Sequence, residues 1–166
     1  MPGRAGDQMA EQEAWKQLYQ YWLSKHVAGR PPTRREIDPP IDVPHLIANV
    51  MLIDAEGDIF RYRLVGTAYW RRYGFELTGT TIEGRNPAEA TWLETLRAVQ
   101  GDRAARLVTA PVDGHPDRMH IGLALALSTA DGTAGQILAA TFFAQEHGAN
   151  LRLGQLFVRE ILEEDG

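Results

Sequence analysis

The sequence predicts an α+β domain: a five-stranded antiparallel sheet with helices on one face, plus an N-terminal amphipathic helix and a C-terminal helix. Three observations lead there. Two strand patterns joined by an acidic, glycine-containing turn occupy 50–65. Helical patterns follow at 67–73 and 86–100. Three more strand patterns then run from Arg103 to Gln145 without another long helix between them.

Trp15, Leu18, Tyr19, Trp22, Leu23 and His26 recur at helical spacing and make an apolar stripe, which Gly29 and Pro31-Pro32 terminate. Burying side chains of this size is worth roughly 1.5–3 kcal/mol each, so the stripe needs a partner surface on the domain or in a dimer. Trp15, Leu18, Tyr19, Trp22 and Leu23 are therefore read as a dimer or partner surface, and deleting residues 1–29 is expected to destabilise the fold or monomerise the protein. Arg30 to Pro44, RPPTRREIDPPIDVP, reads as an extended, solvated connector whose arginines are offset by Glu36 and Asp38.

Val50 to Asp54 and Ile59 to Val65 read as a hairpin. In the second strand Phe60, Tyr62 and Leu64 share one face, and Ile59, Arg61, Arg63 and Val65 the other. Arg61 and Arg63 suit cross-strand carboxylate pairing, or the grip of an anionic ligand. Thr67 is the expected N-cap of a short helix holding Tyr69, Trp70 and Tyr73, and Gly74 its left-handed end. Asn86-Pro87 predicts a cap and first turn, with Gly101 as the stop. Arg118 to Ser128 alternates bulky Met119, Ile121, Leu123, Leu125 and Leu127 with small or polar His120, Gly122, Ala124, Ala126 and Ser128, as in a strand covered on both sides. Gln136 to Gln145 is the returning strand, and Leu153, Leu156, Phe157, Glu160 and Ile161 mark a final helix. Residues 1–44 thus hold the first helix and connector, 45–147 the sheet domain and 148–166 the C-terminal helix.

Composition narrows the function. The 166 residues fit one domain with extensions, and 44% hydrophobic with 23% charged residues is ordinary for a globular protein. A net charge of −5 argues against sequence-independent nucleic-acid binding, which needs a basic surface. The absence of cysteine excludes disulfides, thiolate metal sites, cysteine nucleophiles and flavin–cysteinyl photochemistry. MPGRAGDQMAEQEAW carries no apolar run, so no signal peptide is expected, and no stretch reaches the roughly 20 residues of a membrane span. The expected compartment is the cytoplasm.

The element order resembles a PAS domain. The resemblance extends to residues: Trp15, Leu18 and Trp22; Arg35-Glu36-Ile37-Asp38-Pro39 with Ile41 and Pro44; Phe60-Arg61-Tyr62-Arg63-Leu64-Val65-Gly66-Thr67; and Gly74-Phe75-Glu76-Leu77-Thr78-Gly79. Together these look like the stand-alone PAS-like family common in alphaproteobacteria, over about Trp15 to Phe143. The resemblance implies a small cytoplasmic sensory or protein-interaction module, often with no attached kinase or cyclase. It supplies no agreed ligand, so no cofactor is assigned.

In such a fold a ligand lies between the sheet and the helices after the hairpin. The candidate pocket residues are Tyr62, Tyr69, Trp70, Tyr73, Trp92, Thr109, His120, Thr141 and Phe143. Each ring is equally readable as core packing. Thr109, His120 and Thr141 matter most, because an apolar pocket draws specificity from a few placed polar groups. His120 is either a haem ligand or a core histidine, and no second haem feature accompanies it. His115 and His120 have no third ligand at metal spacing, so no metal is expected. No Ser-His-Asp arrangement, phosphate loop or dinucleotide motif is present, so no catalytic residue is assigned and the chain is not expected to be an enzyme. The expected function is a signalling module acting through a small molecule, protein contacts or both, as a homodimer through its first helix. The alternatives are a small-molecule carrier without a signalling partner and, less favoured, an enzyme with a hydrophobic α+β cavity.

Overall fold

A computed structural model describes residues 14–74, 76–112, 115–129 and 134–145; at 72, 73, 109–112, 115–120, 134 and 143–145 it describes the backbone alone. Helix α1 covers 14–24. A connector with a short helical turn α2 (Pro39–Asp42) leads to β1 (Val50–Glu56) and β2 (Ile59–Val65). Helices α3 (Thr67–Tyr73) and α4 (Pro87–Asp102) follow, then β3 (Ala105–Val112), β4 (His115–Ser128) and β5 (Ala134–Gln145). The five strands form one sheet in the order β2-β1-β5-β4-β3, with every neighbouring pair antiparallel. The α+β class read from the element order is the observed one. The expected C-terminal helix lies outside the described residues.

The alternation in β4 sorts the two faces of the sheet. Ile121, Leu123, Leu125 and Leu127 join Val50, Leu52, Leu107, Leu138 and Phe142 in one core, which α1 covers with Trp15, Leu18, Tyr19 and Trp22. Ala124, Ala126 and Ala139 turn the other way, with Met51, Ile53, Phe60 and Ile137, under Leu96 and Val99 of α4. Bulky residues therefore meet a tryptophan-rich helix, while small ones leave α4 room to sit close to the strands.

Of the two surfaces expected for the apolar stripe of α1, the domain or a dimer, the structure shows the first: the residues nominated as a dimer or partner surface are buried in the chain's own core. Trp15, Leu18, Tyr19 and Trp22 are at most 7% exposed and Leu23 packs beside them. The reason lies partly in the sheet edge. The β3–β4 pairing ends at Ala105 and Leu125, so β4 outruns β3. The Trp22 indole donates to the uncovered Ala126 carbonyl at 2.7 Å, and Ser128 N–H donates to Pro32 O at 2.9 Å. Thr33 pairs with Ser128 as a parallel bridge. The connector is thus part of the fold, not the solvated spacer expected: Pro31, Pro32, Ile37, Pro39 and Val43 are buried. A proline lacks the N–H but keeps its carbonyl, and Pro32 uses that carbonyl to extend the sheet. Tyr21 ties the layers further, donating to Asp42 Oδ2 at 2.5 Å while accepting from the Asp38 N–H at 2.9 Å. Of the offset expected for the arginines, Glu36 supplies that of Arg30, at 2.8 and 3.2 Å, while Arg34 donates to the Ile37 carbonyl at 3.2 Å.

β2 departs from the expected alternation. Leu52 pairs with Leu64, but Ile53 pairs with Tyr62, leaving Arg63 as an extra residue in a bulge. The bulge reverses the faces beyond it, so Leu64 is 56% exposed and Val65 packs on the helical side. Phe60 and Tyr62, before the bulge, are buried as expected. Cross-strand pairing is the use made of Arg63, which reaches Asp54 at 3.3 Å, while Asp54 also accepts from Gln136 at 2.8 Å.

Helix ends follow local chemistry, with two shifts. Gly66, not Thr67, is the N-cap of α3, and Gly74 ends it at φ 76°. Asn86 caps α4, accepting from Glu89 N–H at 2.9 Å, with Pro87 first in the helix. Gly101 does not stop α4. The helix runs to Asp102, and Arg103 takes the left-handed turn at φ 54°. A Cβ at Gly101 would meet nothing within 4 Å. Gly101→Ala is therefore expected to stabilise the protein by roughly 0.5–1 kcal/mol, read as a higher thermal midpoint.

Candidate functional site

The space between the sheet and helices α3 and α4 gathers three of the nominated rings. Tyr62 projects from β2 toward the helices, because it precedes the bulge, and is buried. Tyr69 from α3 and Trp92 from α4 are half-buried and pack against the same core. The Trp92 indole, which has only a donor to offer, lies close enough to the Tyr62 hydroxyl to lower its pKa. The phenol keeps its own O–H. Trp92 reaches this position because Gly122 has no side chain: a Cβ there would stand 2.9 Å from Trp92 Cζ3 and 3.0 Å from Val108 Cγ1. Thr141, paired with Gly122 across the β4–β5 ladder, is half-buried and directs its hydroxyl to Met51 Sδ at 3.8 Å. Ala124, Ala126 and Ala139 continue this low wall.

Burial holds the Tyr62 phenol well above the ordinary tyrosine pKa, and the neighbouring Tyr69 and Glu89 add to the rise while the nearby Trp92 indole acts against it. Burial, then Glu89, raises Tyr69 in the same way. Glu89 is fixed by the backbone, its Oε1 accepting from the N–H groups of Glu83 at 2.7 Å and Gly84 at 3.0 Å. Elsewhere, burial and the bond to Asp42 push Tyr21 up to about 12. All three are neutral phenols in the fold. They can orient a polar group of a largely apolar molecule but do not serve as bases at neutral pH.

This has a consequence for stability at high pH. A raised native pKa means that the unfolded chain, titrating near 10, gives up its protons first. Stability is fully retained below about pH 10 and is lost as pH climbs toward the native values. The urea midpoint is expected to hold to about pH 9 and to fall beyond pH 10. Tyr62→Phe should fall less steeply there. An alkaline limb as steep as that of the unsubstituted protein would remove Tyr62 from this account.

The other nominated residues are placed differently. Trp70 was expected to face the compartment, but it is 53% exposed. In a seven-residue helix the inward face admits Tyr69, and its neighbour Trp70 is turned to solvent. The side chains of Tyr73, Thr109, His120 and Phe143 lie outside the described residues. His120 stands opposite Ala110 on β3 and Phe143 on β5. Gly122 and Glu89 were not anticipated as site residues. Gly122 had a signal in the small-residue face of its strand, whereas Glu89 had none, since its role depends on the loop folded over it. Among the described residues no group of three metal-ligating side chains is placed to hold an ion, and no helix is long and apolar enough to cross a membrane.

A family model described as "PAS domain" matches residues 10–156. Among solved structures, the PAS domain of Bordetella pertussis BvgS is similar at 20% identity, covering 74% of this chain and 91% of that one, with a TM-score of 0.48. A sensory box sensor histidine kinase from Vibrio cholerae is similar at 13% identity, covering 60% and 86%, with a TM-score of 0.46. The light-state structure of the blue-light photoreceptor Aureochrome1 LOV is similar at 10% identity, covering 69% and 94%, with a TM-score of 0.47. No curated protein matches the sequence.

Proposed function

We infer, from the premise that this chain belongs to the PAS domain family, that it senses a small, largely apolar molecule between its sheet and helices and passes the occupancy on through protein contacts. PAS domains are sensory and signalling modules, typically not catalytic. The observation that carries the finer reading is the Trp92–Tyr62 pair with Tyr69 beside it, three polar ring tips against an apolar core, with Glu89 near two of them. Placed polar groups in an apolar surround are what a selective binding site requires. Gly122 supports it too, since the strand gives up a side chain where Trp92 lies. A ligand that takes the Tyr62 hydroxyl would displace the Trp92 indole and so move α4.

The cytoplasm is the proposed compartment. A homodimer through α1 is compatible with this reading only by its polar face, which includes Lys16, Gln17 and Gln20, because its apolar stripe is already covered. The test is a fluorescence titration with a protein-free small-molecule extract of the host cell. The expected result is a shift in tryptophan emission that disappears in Trp92→Phe and survives in Trp70→Phe. No shift, or a shift that depends on Trp70 alone, contradicts the reading.

A further inference from the structure

Three exposed apolar side chains belong to elements that meet at Gly66. Ile47 lies in the helical turn Pro44–Asn49, Leu64 on β2 just beyond the bulge, and Trp70 on the outward side of α3. The elements meet closely: Gly66 N–H donates to Val50 O at 2.9 Å, and a Cβ on Gly66 would stand 2.7 Å from Ile47 O. Leu64 is exposed because of the bulge, and Trp70 because Tyr69 takes the inward position. The α1 layer covers the neighbouring Val50 and Leu52 but not Leu64. Exposed cations stand on the same elements, Arg61 on β2 and Arg71 on α3.

The chain itself carries a segment that fits. After β5, Leu153, Leu156, Phe157 and Ile161 recur at helical spacing, and Glu160, Glu163, Glu164 and Asp165 follow or interleave. The segment also starts from the right end of the sheet. β5 pairs Ala140 with Val50, and Thr141 O accepts from Asn49 Nδ2 at 3.0 Å, so β5 runs out past the Pro44–Asn49 turn. From Gln145 to Leu153 are eight residues, a span of up to roughly 26 Å when extended. The outer sheet face, the other apolar landing site, is already occupied by α1.

We propose that residues 151–163 dock as an amphipathic helix on the Ile47, Leu64 and Trp70 cluster of the same chain, with the carboxylates of 160–165 toward Arg61 and Arg71. This contact lies on the outward side of α3, whose inward side holds Tyr69. It therefore joins the compartment to the C-terminal segment by a single short helix, independently of which ligand is sensed.

The absence of cysteine makes the test clean. Leu64→Cys and Phe157→Cys are introduced together in the full chain and treated with a short bis-maleimide; Asp58→Cys with Phe157→Cys is the control, at the opposite end of β2. The expected product is an intramolecular crosslink, several-fold faster for the Leu64 pair than for the control and slowed by added Leu153→Asp. A crosslink that yields dimers assigns the cluster to a second copy and overturns the proposal. Equal rates for the two pairs, or no crosslink, overturn it as well. A chain that binds no small molecule but crosslinks as expected would sink the sensing proposal and leave this one standing.

Discussion

Gly66→Ala is expected to cost about 3 kcal/mol or more, at the upper end of what overpacking does, and to leave little folded protein at ambient temperature. A Cβ at this position would stand 2.2 Å from the Ala48 carbonyl oxygen, 2.5 Å from its carbon and 2.7 Å from the Ile47 oxygen. These are backbone atoms, and no rotamer change relieves them. Gly66 has φ −63°, so glycine is required here by close approach and not by a left-handed backbone. Its N–H is bonded to Val50 O, which pins it at the start of β1. Urea unfolding of Gly66→Ala beside Gly101→Ala separates the two cases: the first should lose stability and the second gain it. A Gly66→Ala protein with an unchanged midpoint would show that the turn before β1 yields at no cost.

The second large effect concerns Trp22, which fastens α1 to the sheet. Trp22→Ala is expected to cost about 3–5 kcal/mol, as for other large-to-small core changes. Trp22→Phe should be intermediate, about 1–3 kcal/mol, because it keeps a ring but leaves the Ala126 carbonyl unpaired in a buried setting. The neighbouring connector should loosen with it, since Pro32 and Thr33 share the same strand edge. Amide exchange at Ser128 reports this directly. Equal midpoints for Trp22→Phe and the unsubstituted protein would mean that the indole bond contributes nothing. Midpoints that do not fall in the order Trp, Phe, Ala would undo the role given to α1.

Much of this architecture is legible in the residues themselves. β4 reads correctly because bulky and small residues alternate without interruption from Met119 to Ser128, and a two-sided strand in turn demands a second covering layer. The stripe of α1 announces burial, but periodicity alone does not say against which surface. Asn86-Pro87 places a helix start because the cap is local chemistry. What escaped is set by contacts distant in sequence. The bulge at Arg63 has no glycine to mark it, so Leu64 reads as core and is instead exposed. The prolines of the connector read as solvated because their missing N–H groups weigh more in a sequence than the carbonyls they retain. In α3, Tyr69 and Trp70 are equally aromatic, and only packing against β2 and α4 selects Tyr69 for the compartment. Trp92 was nominated, but its seat on Gly122 and its closeness to Tyr62 need the register of two strands and a helix together.

The central claim, that the compartment beside Tyr62 and Trp92 holds a small molecule, is met most directly by native mass spectrometry of the full chain purified from its own host. The predicted spectrum contains the protein with a discrete adduct of constant mass, released on denaturation and absent from Tyr62→Phe/Trp92→Phe protein purified in the same way. Only the bare protein mass, or an adduct retained by that double variant, would contradict it.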